Sequence, residues 1–492
     1  MKQFFLVCVS TFLIGGCAAT KSVQQVEHLP GVSPLAALSS SQYPQLKAQI
    51  DATLQDSLFP PANIGIKIVS LSTGETLYEL NPMMLFTPAS NEKLFTSAAA
   101  LADLGKGFQF MTKVSVDSTD SLIFIKGSGD PLLSTNDLDS LARVIRSKLP
   151  STGTWSLVGD VSYFDSLYWG EGWMWDDEQE DYNMAVSPLS VNSNVITIQI
   201  RPGKLEDAPV RVRTVPPTGY VSIVSTATTP VDTPVVPLSV TRDCLERSNR
   251  ITISGQMLHR DSLSERHLSV FQPERYTLTL FAERLQSNGL KIGGIDLNTL
   301  KSGSTPLAEF SHRLDSVLTY QNKESDNLSA ENVLKTLSAE KHGPPGTAQS
   351  GISLVKQFLS SIEVDTTKLV MVDGSGLSRY NLTSPDITVR LLACMYKRND
   401  LFETFYNSLP IAGVDGTLAT RMKGTSAEGN LRAKTGTLTG ASSLSGYVTT
   451  ADNDTLAFSI LINNYASTVR AYRQVEDRIG VILGGFSRQR MR

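Results

Sequence analysis

Ser90 and Lys93 stand three residues apart in the segment Phe86-Thr87-Pro88-Ala89-Ser90-Asn91-Glu92-Lys93-Leu94. On a helix that spacing lets the two side chains touch, and a hydroxyl beside an amine pairs a nucleophile with a base. Thr87 suits a helix N-cap and Pro88 the first turn. The N-terminus of such a helix offers free N–H groups and positive partial charge where an alkoxide or oxyanion would form. A lysine at its ordinary pKa of about 10.4 is neutral in only about one molecule in a few thousand at pH 7. Lys93 can therefore serve as a base only if burial and a neighbouring cation depress it, and Lys434 is the expected neighbour. The spacing alone says little, because Ser338-Ala339-Glu340-Lys341 and Ser353-Leu354-Val355-Lys356 repeat it. Solvated helix faces account for copies of that kind.

Order and company carry more weight. Ser325-Asp326-Asn327 and then Lys434-Thr435-Gly436 follow Ser90 along the chain, the latter in the expected strand Asn430 to Leu438. Singly, they would read as a helix cap and an exposed strand end, and Ser190-Val191-Asn192 rivals the first of them. In this order the three motifs are the signature shared by serine β-lactamases and penicillin-binding proteins. The chain resembles the S13 peptidase family, the type-4 (DacB-like) D-alanyl-D-alanine carboxypeptidase/endopeptidases. Further segments carry the likeness: Gly127-Ser128-Gly129-Asp130-Pro131, Val186 to Asn192, Asp373-Gly374-Ser375-Gly376-Leu377-Ser378 and Gly413-Val414-Asp415-Gly416-Thr417-Leu418. Together they cover the chain from about Tyr43 to its end.

The resemblance implies roles. Ser90 attacks, Ser325 relays a proton to the leaving amine, and Asn327 holds Lys93 and a substrate amide. Lys434 and Thr435 grip the terminal carboxylate, while Gly436, Thr437 and Thr439 line the substrate along their strand. The backbone N–H groups of Ser90 and Thr437 form the oxyanion hole. Which lysine is the base stays open. Asp177, Tyr182 and Arg379 match positions that hold the charged end of a peptide-stem side chain, a carboxylate for its ammonium and an arginine for its carboxylate. Asp176 is the rival to Asp177, and a loop of partly buried aromatics equally explains Trp173 to Tyr182. The implied partners are peptidoglycan peptides, with β-lactams as covalent inhibitors. Two other readings share these residues. A serine β-lactamase needs a base that activates water, and Glu403-Thr404-Phe405-Tyr406-Asn407 has a suitable spacing but reads as helix. A wall-binding lipoprotein would keep the fold without turnover.

Both chain ends must build the frame for this chemistry. Tyr43 to Phe59 has Leu46, Ile50, Leu54 and Leu58 four apart, a helix ended by Pro60-Pro61. Asn63 to Leu71 and Glu75 to Leu80 alternate around Ser72-Thr73-Gly74 as a hairpin. Near the other end Asn430 to Leu438, Ser443 to Thr450 and Thr455 to Asn463 read as strands, followed by a helix from about Ser467 to Leu483. Neither set can bury its apolar faces alone, which predicts an α/β (α+β) fold around one five-stranded antiparallel sheet flanked by helices; the family resemblance implies that this is the serine β-lactamase/DD-peptidase type. That domain takes residues 43–100 and 302–492. Short β-like runs broken by Gly and Pro make 101–301 a large, mostly β insertion.

Composition limits the remaining classes. The 492 residues are 41% hydrophobic and 19% charged, ordinary for a globular chain, and a formal net charge of −4 without a basic stripe argues against nucleic acid. The apolar run Phe4 to Ile14 is too short to span a bilayer and suits a signal peptide, residues 1–16. Leu13-Ile14-Gly15-Gly16-Cys17 resembles a lipobox, which makes Cys17 the lipidation site and 17–42 a tether to a membrane on the periplasmic side of the cell envelope. A plain secretory signal is the alternative. Cys244 and Cys394 remain in the folded part, with a buried free thiol expected at Cys394. The five histidines form no metal-ligand spacing, and no cofactor is implied.

Overall fold

In Asn63–Ser70 the last six residues are all buried, so this strand is covered on both faces rather than on one. The computed structural model describes residues 43–55, 62–231, 236–301 and 303–489, and within it this strand sits inside a five-stranded antiparallel sheet. The order is Arg432–Leu438, Ala441–Thr449, Thr455–Asn463, Asn63–Ser70, Thr76–Leu80. Register pairs Ile66 with Ile460 and Ile68 with Phe458. The two chain ends thus meet along the centre of the sheet, as the periodicity predicts.

Two cores flank it. On one face Ile66, Phe458, Ile460 and Leu444 pack with Leu46 and Ile50 of helix Pro44–Leu54 and Tyr472, Ile479 and Leu483 of helix Val469–Gly485. On the other, Val69, Tyr447 and Ala457 pack with Leu94 and Phe95 of helix Lys93–Leu104, Leu334 of helix Asn327–His342 and Leu391 of helix Pro385–Lys397. The buried helix Lys93–Leu104 is almost apolar all round, Leu94 to Leu101 being inaccessible to solvent, so the catalytic-type residues at its start are held by a rigid core element.

The intervening chain builds its own sheets. Lys291–Leu297, Thr154–Asp160, Leu122–Gly127, Gln109–Asp117 and Thr305–Arg313 form a mixed five-stranded sheet, and two three-stranded sheets lie beside it. Thr305–Arg313 pairs with Gln109–Asp117, so the sheet of the insertion continues past 301 to Arg313. The helix before it likewise runs on to Leu104. The described residues make one compact unit. Cys244 and Cys394 are unpaired, the latter buried. Among the described residues no helix is long and apolar enough to cross a membrane. The expected signal peptide, Cys17 and the tether lie outside the described residues, as do 56–61 at the end of the first helix.

Candidate active site

The first finding at Ser90 corrects an expectation. Thr87 does not cap the helix: its N–H donates to Asn463 Oδ1 (2.7 Å) and its carbonyl accepts from Asn463 Nδ2 (3.2 Å). The chain enters through Pro88 into a 3-10 turn, Ala89–Glu92, and the α-helix begins at Lys93. Ala89 takes a left-handed conformation, φ 49°, which costs a non-glycine residue energy and must be held by its surroundings. Asn91 Nδ2 donates to the Lys434 carbonyl (3.0 Å), and Ser443 Oγ donates to the Pro88 carbonyl (2.7 Å). These bonds clamp the turn onto strands Arg432–Leu438 and Ala441–Thr449. Two glycines permit the contact. A Cβ on Gly436 would lie 2.2 Å from Ser443 Oγ and 3.0 Å from Ser90 N, and one on Gly376 would lie 1.9 Å from the Ala89 carbonyl oxygen.

Lys93 is fully buried. Its Nζ lies 3.0 Å from Ser90 Oγ, 2.5 Å from Asn327 Oδ1 and 2.7 Å from the Ser375 carbonyl. The last two partners only accept. A neutral amine would give its two hydrogens to them and turn its lone pair to the Ser90 hydroxyl, the arrangement a base needs. Burial brings Lys93 down to about 8, against the upward pull of Asp326, Asp373, Glu331 and Glu92. The cause is therefore chiefly desolvation rather than the neighbouring cation. Lys434, also buried, is held well below its ordinary range by burial and then by the charge of Lys93.

Lys434 Nζ donates to Ser325 Oγ (2.8 Å) and to the Thr435 carbonyl (2.7 Å). Ser325 is left-handed, φ 61°, and Asp326 caps the next helix by accepting from the Ser329 N–H (2.6 Å). That cap starts helix Asn327–His342 where Asn327 Oδ1 reaches Lys93 and Nδ2 donates to the Tyr182 carbonyl (2.7 Å). The five residues named for the chemistry thus fall in two hydrogen-bonded groups, Ser90–Lys93–Asn327 and Ser325–Lys434, close enough for the charge of Lys93 to act on Lys434. Thr435 Oγ1 donates to Thr417 Oγ1 (2.8 Å), and Thr437 Oγ1 accepts from Arg473 (2.9 Å).

Asp177 and Tyr182 come from the insertion. Tyr182 donates its hydroxyl to Asp177 Oδ1 (2.9 Å) at the surface, while Arg379, on the opposite part of the chain, donates to the Thr439 carbonyl (2.8 Å). The loop is fastened by Trp173, whose Nε1 donates to Asp373 Oδ2 (2.9 Å). The rival motifs fall elsewhere. Ser338 is a buried acceptor for the Thr347 N–H, Ser353 donates to its own helix at Gln349, and Glu403 is an exposed residue of helix Phe402–Ser408.

A family model described as the D-Ala-D-Ala carboxypeptidase 3 (S13) family matches residues 46–483. The chain belongs to that family. A D-alanyl-D-alanine carboxypeptidase of Actinomadura sp. (strain R39) is 34% identical over 500 residues, covering 96% of this chain and 91% of the relative. D-alanyl-D-alanine carboxypeptidase DacB of Haemophilus influenzae is 26% identical, over 82% of this chain and 86% of its own. The crystal structure of penicillin binding protein 4 (dacB) from Haemophilus influenzae has the same fold, with a TM-score of 0.78 at 24% identity, covering 89% of this chain and 99% of that one.

Within this S13 member several site residues escape the three motifs. Ser375 contributes only a backbone carbonyl, which no side-chain pattern can signal. Glu331 holds that loop by accepting from the N–H groups of Gly374 (3.0 Å) and Ser375 (2.8 Å), and Asp373 accepts from Gly376 N (2.8 Å), Ser378 N (2.6 Å) and Asn381 Nδ2 (2.7 Å). The segments Asp373 to Ser378 and Gly413 to Leu418 carry the family likeness in sequence; their work is to present Ser375 to Lys93 and Thr417 to Thr435. Glu92 is fully buried, pushed well above its ordinary pKa by burial and by Asp373 and Glu331. Neither of its carboxyl oxygens has a hydrogen-bond partner among the described residues.

Proposed function

We propose that this S13 protein is a penicillin-sensitive serine D-alanyl-D-alanine carboxypeptidase and endopeptidase of peptidoglycan. The observation that carries the reading is the three-way contact of a buried, depressed Lys93 with Ser90, Asn327 and the Ser375 carbonyl. The Lys93 lone pair takes the Ser90 proton as Oγ attacks the carbonyl before the terminal D-alanine. The oxyanion is met by the N–H groups of Ser90 and Thr437, which Gly436 keeps close together. As the C–N bond breaks, the proton taken up by Lys93 is relayed through Ser325, which is hydrogen-bonded to Lys434, to the leaving amine, and Lys93 is neutral again. Water then attacks the Ser90 ester, gives its proton to the same basic site, and releases the acid and the free hydroxyl. Lys434 and Thr435 hold the carboxylate of the leaving residue.

A penicillin is attacked by the same oxygen and stays attached, so peptide mapping of the adduct is the test. The adduct is expected on Ser90, with none on Ser90→Ala. Labelling at Ser338 or Ser353 would overturn the reading.

The envelope location is read from Ile14-Gly15-Gly16-Cys17. Diacylated Cys17 would hold the enzyme at a membrane facing the periplasm, where two or more acyl chains anchor stably and one does not. Cys17→Ser is then expected to shift the protein from the membrane to the soluble fraction. A wild-type protein recovered wholly soluble with an unmodified N-terminus would refute the anchor.

A further inference from the structure

A groove of about 410 Å³ opens directly on Ser325 and Asn327 and runs between the catalytic helices and the insertion. Its size falls in the range of roughly 300 to 1,000 Å³ typical of small-molecule sites. Asn192, Ser193 and His267 line it from the insertion, and Tyr320 and Glu324 from the segment before Ser325. None of the groups assigned to the leaving carboxylate, Lys434 and Thr435, lies in its wall, nor do Asp177 and Arg379; Tyr182, bonded to Asp177, lies at the border, and Asp181 and Asp326 add carboxylates to the lining.

The walls are built to hold a shape. Asn192, Ser193 and Asn194 are three successive non-glycine residues in the left-handed region, φ 50°, 54° and 56°, a conformation that persists only when over-determined. Here Asn194 Nδ2 donates to the Ala185 carbonyl (2.9 Å) and Ser190 Oγ (3.0 Å), while Asn192 accepts from Thr135 N (3.0 Å) and donates to Thr135 Oγ1 (2.8 Å). Ser193 is thereby turned toward Tyr320, with which it hydrogen-bonds. His267 is exposed, one ring nitrogen occupied by Thr197 Oγ1 (2.9 Å).

Three branches leave the reacting centre of a stem peptide: the departing C-terminal residue, the side chain with its charged end, and the main chain running back toward the glycan. The first two have been given to Lys434 with Thr435 and to Asp177 with Arg379. We infer that this groove is a subsite for the third branch, the N-terminal continuation of the stem, whose amides meet the hydroxyl, imidazole and amide groups of its walls. The inference rests on the proposed function.

The test uses two D-Ala-D-Ala substrates: a short one ending at the side-chain-bearing residue with its α-amine acetylated, and the same peptide extended N-terminally by two stem residues. In the wild-type enzyme the extension is expected to raise kcat/KM about ten-fold, the worth of one or two hydrogen bonds. His267→Trp, which fills the groove from an exposed strand, and Tyr320→Ala should lose that gain while acylation by penicillin and turnover of the short substrate stay at wild-type rates. No gain in the wild type, or a gain that survives both variants, would overturn the assignment. So would variants that keep the gain and lose only cleavage of cross-linked dimers, which would give the groove to the departing strand. Failure of the functional reading itself is distinct: the wild type would then form no penicillin adduct and leave the short substrate intact.

Discussion

Two buried lysines share the site, and their partners separate them. Lys93 faces acceptors on two sides and the Ser90 hydroxyl on the third, whereas Lys434 is bonded to a serine and a carbonyl on the carboxylate side. With Lys93 near 8, the neutral fraction climbs as pH rises from 6 through 8 and levels only above about 9. Penicillin acylation should follow that climb, and a flat profile between pH 6 and 9 would exclude Lys93 as the base. Lys93→Arg should be inactive, since a guanidinium stays protonated, and Lys434→Arg should lose less. Glu92 invites a stability prediction. Its carboxyl has a raised folded pKa, so the native state keeps a proton that the unfolded chain releases. Its contribution to stability is present below the unfolded pKa and is lost as pH rises toward neutrality. Glu92→Met, unbranched and similar in length, removes both that cost of taking up a proton and the pH-independent cost of an unpartnered buried polar group, the latter about 1 to 3 kcal/mol, and should stabilise the protein most at pH 7. Denaturant titrations should show that gain shrinking toward pH 4; an equal gain at both values would mean that Glu92 is ionised when folded.

At the scale of elements, the catalytic geometry is kept by strained turns pressed against a sheet. Ser325 pays for its left-handed backbone, and a glycine there would not. Ser325→Gly is expected to raise the melting temperature while cutting peptide turnover by about a hundred-fold, a proton-relay loss in the range of general acid–base effects; a destabilised variant would show that the surrounding packing, not the backbone, sets the balance. Gly376→Ala should do the reverse, forcing a methyl against the Ala89 carbonyl and displacing Ser90, so acylation and stability both fall. These turns explain what the sequence concealed. The terminal helices were legible because their periodicity is set by burial, as in Val469–Gly485, and Asn63–Ser70 was legible from its alternating isoleucines although both its faces are buried. The N-cap assigned to Thr87 failed because Asn463, far along the chain, takes both backbone groups of Thr87. No local pattern announces a tertiary partner of that kind.

Over the whole molecule, residues 105–313 supply groups that touch the acyl-transfer centre from outside its own sheet. The triple motif made Ser90, Lys93, Ser325, Asn327 and Lys434 readable from type and order, but the groups around them come from segments more than a hundred residues away. Tyr182 presents its carbonyl to Asn327, and Trp173 is bonded to Asp373 of the loop that supports Lys93. The loop that carries Asp177 and the loop that supports Lys93 are therefore joined through the buried carboxylate of Asp373, and the roles proposed for Asp177 and Ser90 can be separated by the choice of compound. A stem peptide carries a zwitterionic side-chain end that needs opposite charges on both its groups; penicillin lacks that end and reports mainly on the nucleophile, the lysines and the oxyanion hole. Asp177→Ala and Arg379→Ala should each lower kcat/KM for the stem peptide by about ten-fold to a hundred-fold, the worth of a charge-assisted bond, and leave penicillin acylation nearly unchanged. Because Asp177 accepts from the Tyr182 hydroxyl, Tyr182→Phe tests whether the carboxylate must be held as well as present, and Asp176→Ala serves as the neighbouring control. Equal losses on both compounds would mean that these residues support the fold of the site rather than read the side chain, and a loss confined to Asp176→Ala would move the ammonium contact one residue back along the loop.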